Sequence, residues 1–245
     1  MSARCLVLQH IACEPPGAYE EVLDAHDVAI HRVELDEGEP LPDWRGFDAI
    51  VAMGGPMSVN DEAEHPWLVD EKTLIRDAAH AGVPVFGVCL GVQLLASSLG
   101  ARVYAGERQE VGLLPVTLTD EGRADPVFGP EPGEFVTLQW HGDTFDLPRG
   151  ARLLAGSPAY PNQAFRLGRA YGVQFHLEVS AAMAREWAEV PAYAESLAHI
   201  HGEGALPRLL EEFAGHREEM LARARGLFER WLALAQPSSR AEAAG

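Results

Sequence analysis

Two short motifs in the chain carry residue types suited to acyl transfer. The first is Gly87-Val-Cys-Leu-Gly91, between the apolar run Val83 to Val88 and Val92-Gln-Leu-Leu-Ala96, which can start a helix. Gly-x-Cys-x-Gly between a strand and a helix is the cysteine form of the nucleophile elbow. Such a turn is too tight for side chains on either flank, and Gly87 and Gly91 remove them. Cys89 is therefore expected at the carboxyl end of a strand, with its sulfur near a helix N-terminus. The dipole and free N–H groups there favour thiolate over thiol. The second motif is His176-Leu-Glu178, at the end of the apolar stretch Tyr171-Gly-Val-Gln-Phe175. Residues i and i+2 of a strand share a face. Glu178 can then accept a hydrogen bond from one ring nitrogen of His176 and leave the other for a thiol, which makes a Cys–His–Glu triad. Alone, either motif also reads as structure: a buried cysteine in a tight turn, or a solvated strand end. Their occurrence in one chain favours the catalytic reading.

A thioester-forming enzyme also needs donors for an oxyanion. The N–H of Leu90, next after the cysteine, is one. The second must come from another strand-end loop. Gly54-Gly-Pro56-Met suits it, because two glycines let backbone approach a substrate closely and proline fixes the turn.

These residues need a sheet that brings distant strand ends together. Arg4 to Gln9, Val28 to Val33, Phe47 to Met53 and Val83 to Val88 read as apolar strands buried on both faces. Helical spacing separates them at Ala18 to His26 and at Trp67 to Ala81, the latter stopped by Gly82. This alternation predicts an α/β fold, a flavodoxin-like open and mostly parallel sheet with helices on both faces. Ligands in such sheets sit at the carboxyl ends of the strands, where Gly54-Gly-Pro56 and Cys89 both fall. From Ala101 to Phe175 the pattern changes to strands and turns: Arg102–Tyr104, Leu113–Leu118, Phe135–Gln139, Ala151–Leu154, Ala164–Arg166 and Tyr171–Phe175. These predict an antiparallel extension of the same sheet. Past Ser180 the chain reads as helical. An apolar stripe through Leu210, Phe213, Met220, Leu227 and Trp231 marks a C-terminal helix, with Arg217, Arg223, Arg225 and Arg230 beside it. The expected organisation is one domain over residues 1–205, a helical extension packed on it over 206–236, and a disordered tail over 237–245.

Charge and composition exclude several classes. The chain has 19 Lys and Arg against 37 Asp and Glu, a net −18. That argues against nucleic acid and anionic membranes as partners, since both are polyanions. No apolar run approaches the ~20 residues needed to cross a bilayer. Three cysteines, Cys5, Cys13 and Cys89, form neither a disulfide framework nor a Cys-x-x-Cys metal site, so a reduced, cytoplasmic protein is expected. His26, His65, His80, His199, His201 and His216 fall among charges and read as solvated, and no metal site is expected. Neither a P-loop nor a dinucleotide fingerprint occurs, and no cofactor is expected.

Four segments together carry a family resemblance: Gly54-Gly-Pro-Met-Ser-Val-Asn-Asp61, Gly87-Val-Cys-Leu-Gly-Val-Gln93, Gln139-Trp-His-Gly-Asp143 and Gly172-Val-Gln-Phe-His-Leu-Glu178. In order and spacing they resemble the class I (triad) glutamine amidotransferases, and among these the stand-alone members similar to the glutaminase domain of GMP synthase. The likeness runs from Arg4 to about Ser180. It implies that Cys89 attacks the side-chain amide of glutamine, that His176 moves the proton, and that Glu178 orients His176. It further implies oxyanion N–H groups from Gly55 and Leu90, and a glutamine site lined by Gly54, Pro56, Gln93, His141, Gly142 and Asp143. Asp143 would suit the α-amino group. The implied partner is an ammonia-accepting synthase subunit. A γ-glutamyl peptide hydrolase with the same triad is the alternative. A non-catalytic binding protein on the same scaffold is a third reading, and it has no use for His176 with Glu178. One departure stands out: the family usually has proline between His and Glu, and here Leu177 adds a backbone N–H and frees φ.

Overall fold

The computed structural model describes residues 2–235, and the expected tail over 237–245 lies outside them. Nine strands form one sheet in the order β2-β1-β3-β4-β9-β8-β7-β5-β6. Here β1 is Arg4–Gln9, β2 Ala29–Glu34, β3 Ala49–Ala52, β4 Val85–Val88, β5 Val103–Leu118, β6 Glu134–Phe145, β7 Arg152–Gly156, β8 Ala164–Leu167 and β9 Ala170–Val173. The half β2-β1-β3-β4-β9 is parallel. From β9 onward through β8, β7, β5 and β6 every pairing is antiparallel. The mostly parallel sheet with an antiparallel extension is therefore present.

Seven α-helices accompany it: α1 Ala18–Ala25, α2 Trp67–His80, α3 Leu90–Ser98, α4 Asp120–Ala124, α5 Ala181–Trp187, α6 Pro191–His201 and α7 Leu206–Leu232. The strands sort their residues by parity, as a sheet covered on both faces must. Val7, Val51, Phe86 and Val88 face one core with α1, α5 and α7. Leu6, Leu8, Ile50, Ala52 and Val85 face the other with α2 and α3.

Two strands are longer than the local pattern predicts. The candidates Arg102–Tyr104 and Leu113–Leu118 are one strand, β5, irregular between Ala105 and Glu110. The candidate Phe135–Gln139 extends through Trp140-His-Gly-Asp143 to Phe145. The polar Trp-His-Gly-Asp run reads locally as a turn. It is extended because β5 supplies a facing strand, pairing Val111 with Trp140 and Glu110 with His141. Helix α4, which lacks any apolar period, was not expected; the Thr119 hydroxyl caps it by accepting from the Gly122 N–H at 3.0 Å.

The last helix lies on its own chain. Phe213, Met220, Leu227, Phe228 and Trp231 are buried. The Trp231 ring sits 5.2 Å from that of Phe86 on β4, and Phe228 stacks on Tyr19 of α1 at 4.8 Å. Three arginines on this helix pair with carboxylates of the same chain: Arg223 with Glu131 at 2.9 Å, Arg225 with Glu21 at 2.8 Å, and Arg230 with Glu131. No helix among the described residues is long and apolar enough to cross a membrane.

The connection from β1 to α1, His10 to Gly17, sends His10, Glu14 and Pro16 into the interior. His10 is fully buried, its Nε2 lies 2.8 Å from Glu71 of α2, and its Nδ1 donates to the Gly54 carbonyl at 3.1 Å. Both ring nitrogens face acceptors, as in an imidazolium. Burial disfavours that charge, but Glu71 and the Gly54 carbonyl outweigh it and raise the His10 pKa above 6.5. Further along the loop the Cys13 carbonyl accepts from Trp187 Nε1 at 2.9 Å, and the Ala18 N–H donates to the Glu178 carbonyl at 3.1 Å.

Two outcomes follow from this packing. Trp231→Ala opens a cavity under α7 and lowers unfolding free energy by about 3–5 kcal/mol in urea titrations. For His10 the folded pKa is the raised one, so its stabilisation is complete below the unfolded value and fades as pH rises through the folded value. The gap in urea midpoint between the native protein and Glu71→Gln is accordingly largest below pH 6.5. It narrows on going alkaline.

Candidate active site

The chain turns from β4 into α3 at Cys89, whose φ of 52° and ψ of −105° lie outside ordinary strand and helix values. Among the described non-glycine residues only Asp27 shares a positive φ. Such a backbone costs about 1–3 kcal/mol and persists only where its surroundings hold it. They do: the Cys89 N–H donates to the Val173 carbonyl of β9 at 2.8 Å. A Cβ on Gly87 would overlap the Gly91 carbonyl, and one on Gly91 would overlap the carbonyl of Ala52 on β3. The two flanking glycines are thus where backbone meets backbone, as the elbow pattern requires.

His176 follows β9 and is fixed by a two-way bridge to Leu138 of β6, with N···O distances of 2.8 and 3.1 Å. Its Nδ1 lies 2.7 Å from Glu178 Oε1. The other carboxylate oxygen accepts from the Leu177 N–H at 3.0 Å. Burial and the nearby Glu178 carboxylate hold the Tyr19 pKa well above its usual value. The Trp187 ring stands edge-on to the imidazole at 4.6 Å. Burial works against a charged His176, yet Glu178 and the nearby Cys89 together outweigh it and hold its pKa well above the usual histidine range. His176 and Glu178 are thus hydrogen-bonded to each other just past the end of β9, and Cys89 stands at the end of β4, the strand paired with β9.

Above Cys89 opens a cavity of about 290 Å³. Gly55, Pro56, Leu90, Gln93, His141, Gly142 and Asp143 all line it. Leu90 is the first residue of α3, so its N–H has no acceptor within the helix. Gly55 lies beside it: a Cβ there would stand 3.1 Å from Leu90 Cδ2. Gly54 is not among the lining residues. Its carbonyl accepts from His10, and the space a Cβ would take holds the Glu14 carboxylate. The glycine pair thus makes room for buried side chains of the β1–α1 loop.

The side chains around the cavity are held in place. His141 puts Nδ1 3.0 Å from the Asp143 carbonyl and Nε2 3.2 Å from Glu110. Asp143 accepts from the Ser58 hydroxyl at 3.0 Å, and the Ser58 N–H donates to Asp61 at 2.7 Å. Asp61 and Asp143 both line the cavity, and no Lys or Arg does; this end suits an ammonium group. Gln93 Nε2 donates to Gln174 at 3.1 Å, and Gln174 Nε2 donates to the Cys89 sulfur at 3.5 Å. Helix α6 forms another wall through Ala192, Tyr193 and Ser196. Three bonds moor it: Tyr193 O–H to Glu14, Trp140 Nε1–H to Ser196 Oγ at 2.9 Å, and His201 Nε2–H to the Val111 carbonyl at 2.7 Å. His201 is thus bonded, not merely solvated. No cluster of three or more His, Cys, Asp or Glu side chains suited to a metal occurs among the described residues.

Several of these residues escaped sequence reasoning. Gln174 was within reach, since it precedes His176 by two in the stretch that reads as a strand, where residues i and i+2 share a face. Ser58 and Asp61 fall inside the Gly54 to Asp61 motif. His10, Glu14 and Tyr193 carry no local signal.

Comparison with known proteins places the chain. Residues 21–186 match the family described as glutamine amidotransferase class-I. A glutamine amidotransferase-like protein of Salmonella typhimurium is 34% identical over 69% of this chain and 73% of its own. The GMP synthase [glutamine-hydrolyzing] of Thermomicrobium roseum is 38% identical over 54% of this chain, a match that spans only 23% of that longer protein. Among solved structures, a glutamine amidotransferase of Thermotoga maritima superposes with a TM-score of 0.85 at 33% identity, covering 94% of this chain and 98% of that one. A glutamine amidotransferase of Methylobacillus flagellatus gives 0.86 at 30% identity, covering 96% of each chain. With a matched family region that includes the elbow, the strand-end His-x-Glu and the loop at Gly54, the chain belongs to the class-I glutamine amidotransferases.

Proposed function

We propose that this protein hydrolyses the side-chain amide of glutamine through a cysteine thioester, with Cys89, His176 and Glu178 as the triad. The observation that carries the reading is the strained cysteine that lines the cavity at the end of β4, with a carboxylate-held imidazole just past the end of the neighbouring strand β9. The Cys89 sulfur attacks the amide carbon and its proton goes to His176. The oxyanion that forms takes N–H groups of Gly55 and Leu90. The tetrahedral species collapses, the C–N bond breaks, and His176 gives its proton to the departing ammonia. Water then enters, His176 takes a proton from it, and hydroxide adds to the thioester. Glutamate leaves, and the thiol is restored. Asp143, with Asp61 beside it, pairs with the α-ammonium group, while Gln93, through Gln174, steadies the sulfur. The ammonia released would serve an acceptor or a partner synthase, the role to which its GMP synthase relatives point.

One observation favours a second substrate, a γ-glutamyl peptide. A less polar cavity of about 400 Å³, lined by Leu114, Pro115, Pro158 and Ile200, adjoins the first and shares Gln109 and Val111 with it. Glutamine does not need that room. Ammonia released from glutamine, set against amino acids released from γ-glutamyl dipeptides, separates the two readings. Cys89→Ala lowers either turnover by at least about a thousandfold, and turnover that survives it would overturn both.

Leu177 gives a further test. Leu177→Pro deletes the N–H that Glu178 accepts, but the His176 bond to Glu178 remains. Turnover survives with kcat/KM lowered by roughly tenfold or less, whereas Leu177→Ala keeps the N–H and the native rate. Turnover seen only in the proline variant would mark the native chain as an impaired enzyme.

A further inference from the structure

The β1–α1 loop brings a second buried carboxylate to the triad, and the reaction as written does not use it. Glu14 is 2% exposed. One of its oxygens accepts from the Tyr193 hydroxyl on α6, 179 residues away in sequence. The other lies against Gly54, at the place where a Cβ would also come 3.3 Å from His176 Cε1. Glu14 therefore fills the gap left by Gly54, on which the imidazole also borders, and reaches the helix that walls the cavity. A buried carboxylate without such partners would be costly. Burial does raise the Glu14 pKa, and the charge of His176 and the Tyr193 hydroxyl act the other way.

We propose that Glu14 is a positioning residue: its carboxylate biases the His176 imidazole from the β1–α1 loop and, through Tyr193, holds helix α6 as a wall of the cavity. The ionisable groups around that imidazole come from six elements. Glu178 stands on its own strand end and Cys89 at the elbow. Glu14 and His10 stand on the β1–α1 loop, with Glu71 of α2 paired to His10. Tyr19 of α1 lies near Glu178, and Tyr193 of α6 reaches Glu14. Glu178 fixes ring orientation through Nδ1. Glu14 makes no hydrogen bond to the ring and acts through its charge. This division makes two variants informative. Glu14→Gln keeps an oxygen that can accept from Tyr193 but removes the charge. Tyr193→Phe keeps the carboxylate but removes one of the three bonds that moor α6.

The test reads His176 directly, by NMR titration of its ring resonances in the native protein and in Glu14→Gln. The expected result is a titration displaced to lower pH in the variant, with the basic limb of kcat/KM displaced the same way and KM little changed. Tyr193→Phe is expected to raise KM by roughly tenfold with kcat changed less, because a wall of the cavity is loosened. Superimposable His176 titrations in folded native and Glu14→Gln protein overturn the proposal. If Glu14→Gln does not fold, an unchanged KM in Tyr193→Phe overturns it. The kinetic arm rests on the hydrolase reading; the NMR arm does not. Turnover surviving in Cys89→Ala would therefore sink that reading and leave the role of Glu14 to be decided by the titration.

Discussion

The structure depends on a contact without side chains. Helix α3 approaches β3 and β4 so closely that the Cα of Gly91 stands against the Ala52 carbonyl, and that of Gly87 against Gly91. Any Cβ at either place pushes the helix off the sheet. Only at this distance does Cys89 emerge with a positive φ at the head of α3, its N–H tied to Val173. The same closeness aligns β4 with β9, pairing Gly87 with Gly172, so the strand that delivers His176 runs beside the strand that delivers the sulfur. Gly172 repeats the device, since a Cβ there would overlap Val92 of α3. Catalytic geometry in this fold is thus set first by backbone packing and only then by hydrogen bonds.

Around that contact the protein buries an unusual amount of charge. His10, Glu14, Glu71, His176 and Glu178 are each 2% exposed or less. Isolated, any of them would be strongly unfavourable in a protein interior. They persist as a network in which opposite charges are adjacent: His10 with Glu71, and His176 with Glu178. Glu14 answers to Tyr193. The raised pKa of both histidines is the mark of that adjacency, because carboxylates close by favour the protonated ring over the pull of burial toward neutrality.

Much of this was legible from residue order. The elbow glycines, the i, i+2 relation of His176 to Glu178 and the stripe of α7 are local patterns with periods of two or 3.6, and the structure places them as read. What was not legible depends on distant partners. The Trp140-His-Gly-Asp143 run is a strand only because β5 faces it. Leu177 looked like a loss of stiffness where the family has proline, but its N–H is bonded to Glu178. Gly54 and Gly55 looked like an opening toward substrate. Gly54 instead accommodates Glu14, whose loop is marked in the sequence only by its breakers Pro15, Pro16 and Gly17. Glu14 and Tyr193 are joined across most of the chain, and no window of sequence contains both.

The order of parts along the chain bears on how the protein comes off the ribosome. The thiol, the imidazole and the carboxylate have all been synthesised by residue 178, whereas the wall at Tyr193 and the cover over Phe86 supplied by Phe228 and Trp231 come later. A nascent chain can therefore hold every reacting group while one face of its sheet is still bare of apolar cover. Closing the cavity and covering that face then both await the docking of α6 and α7.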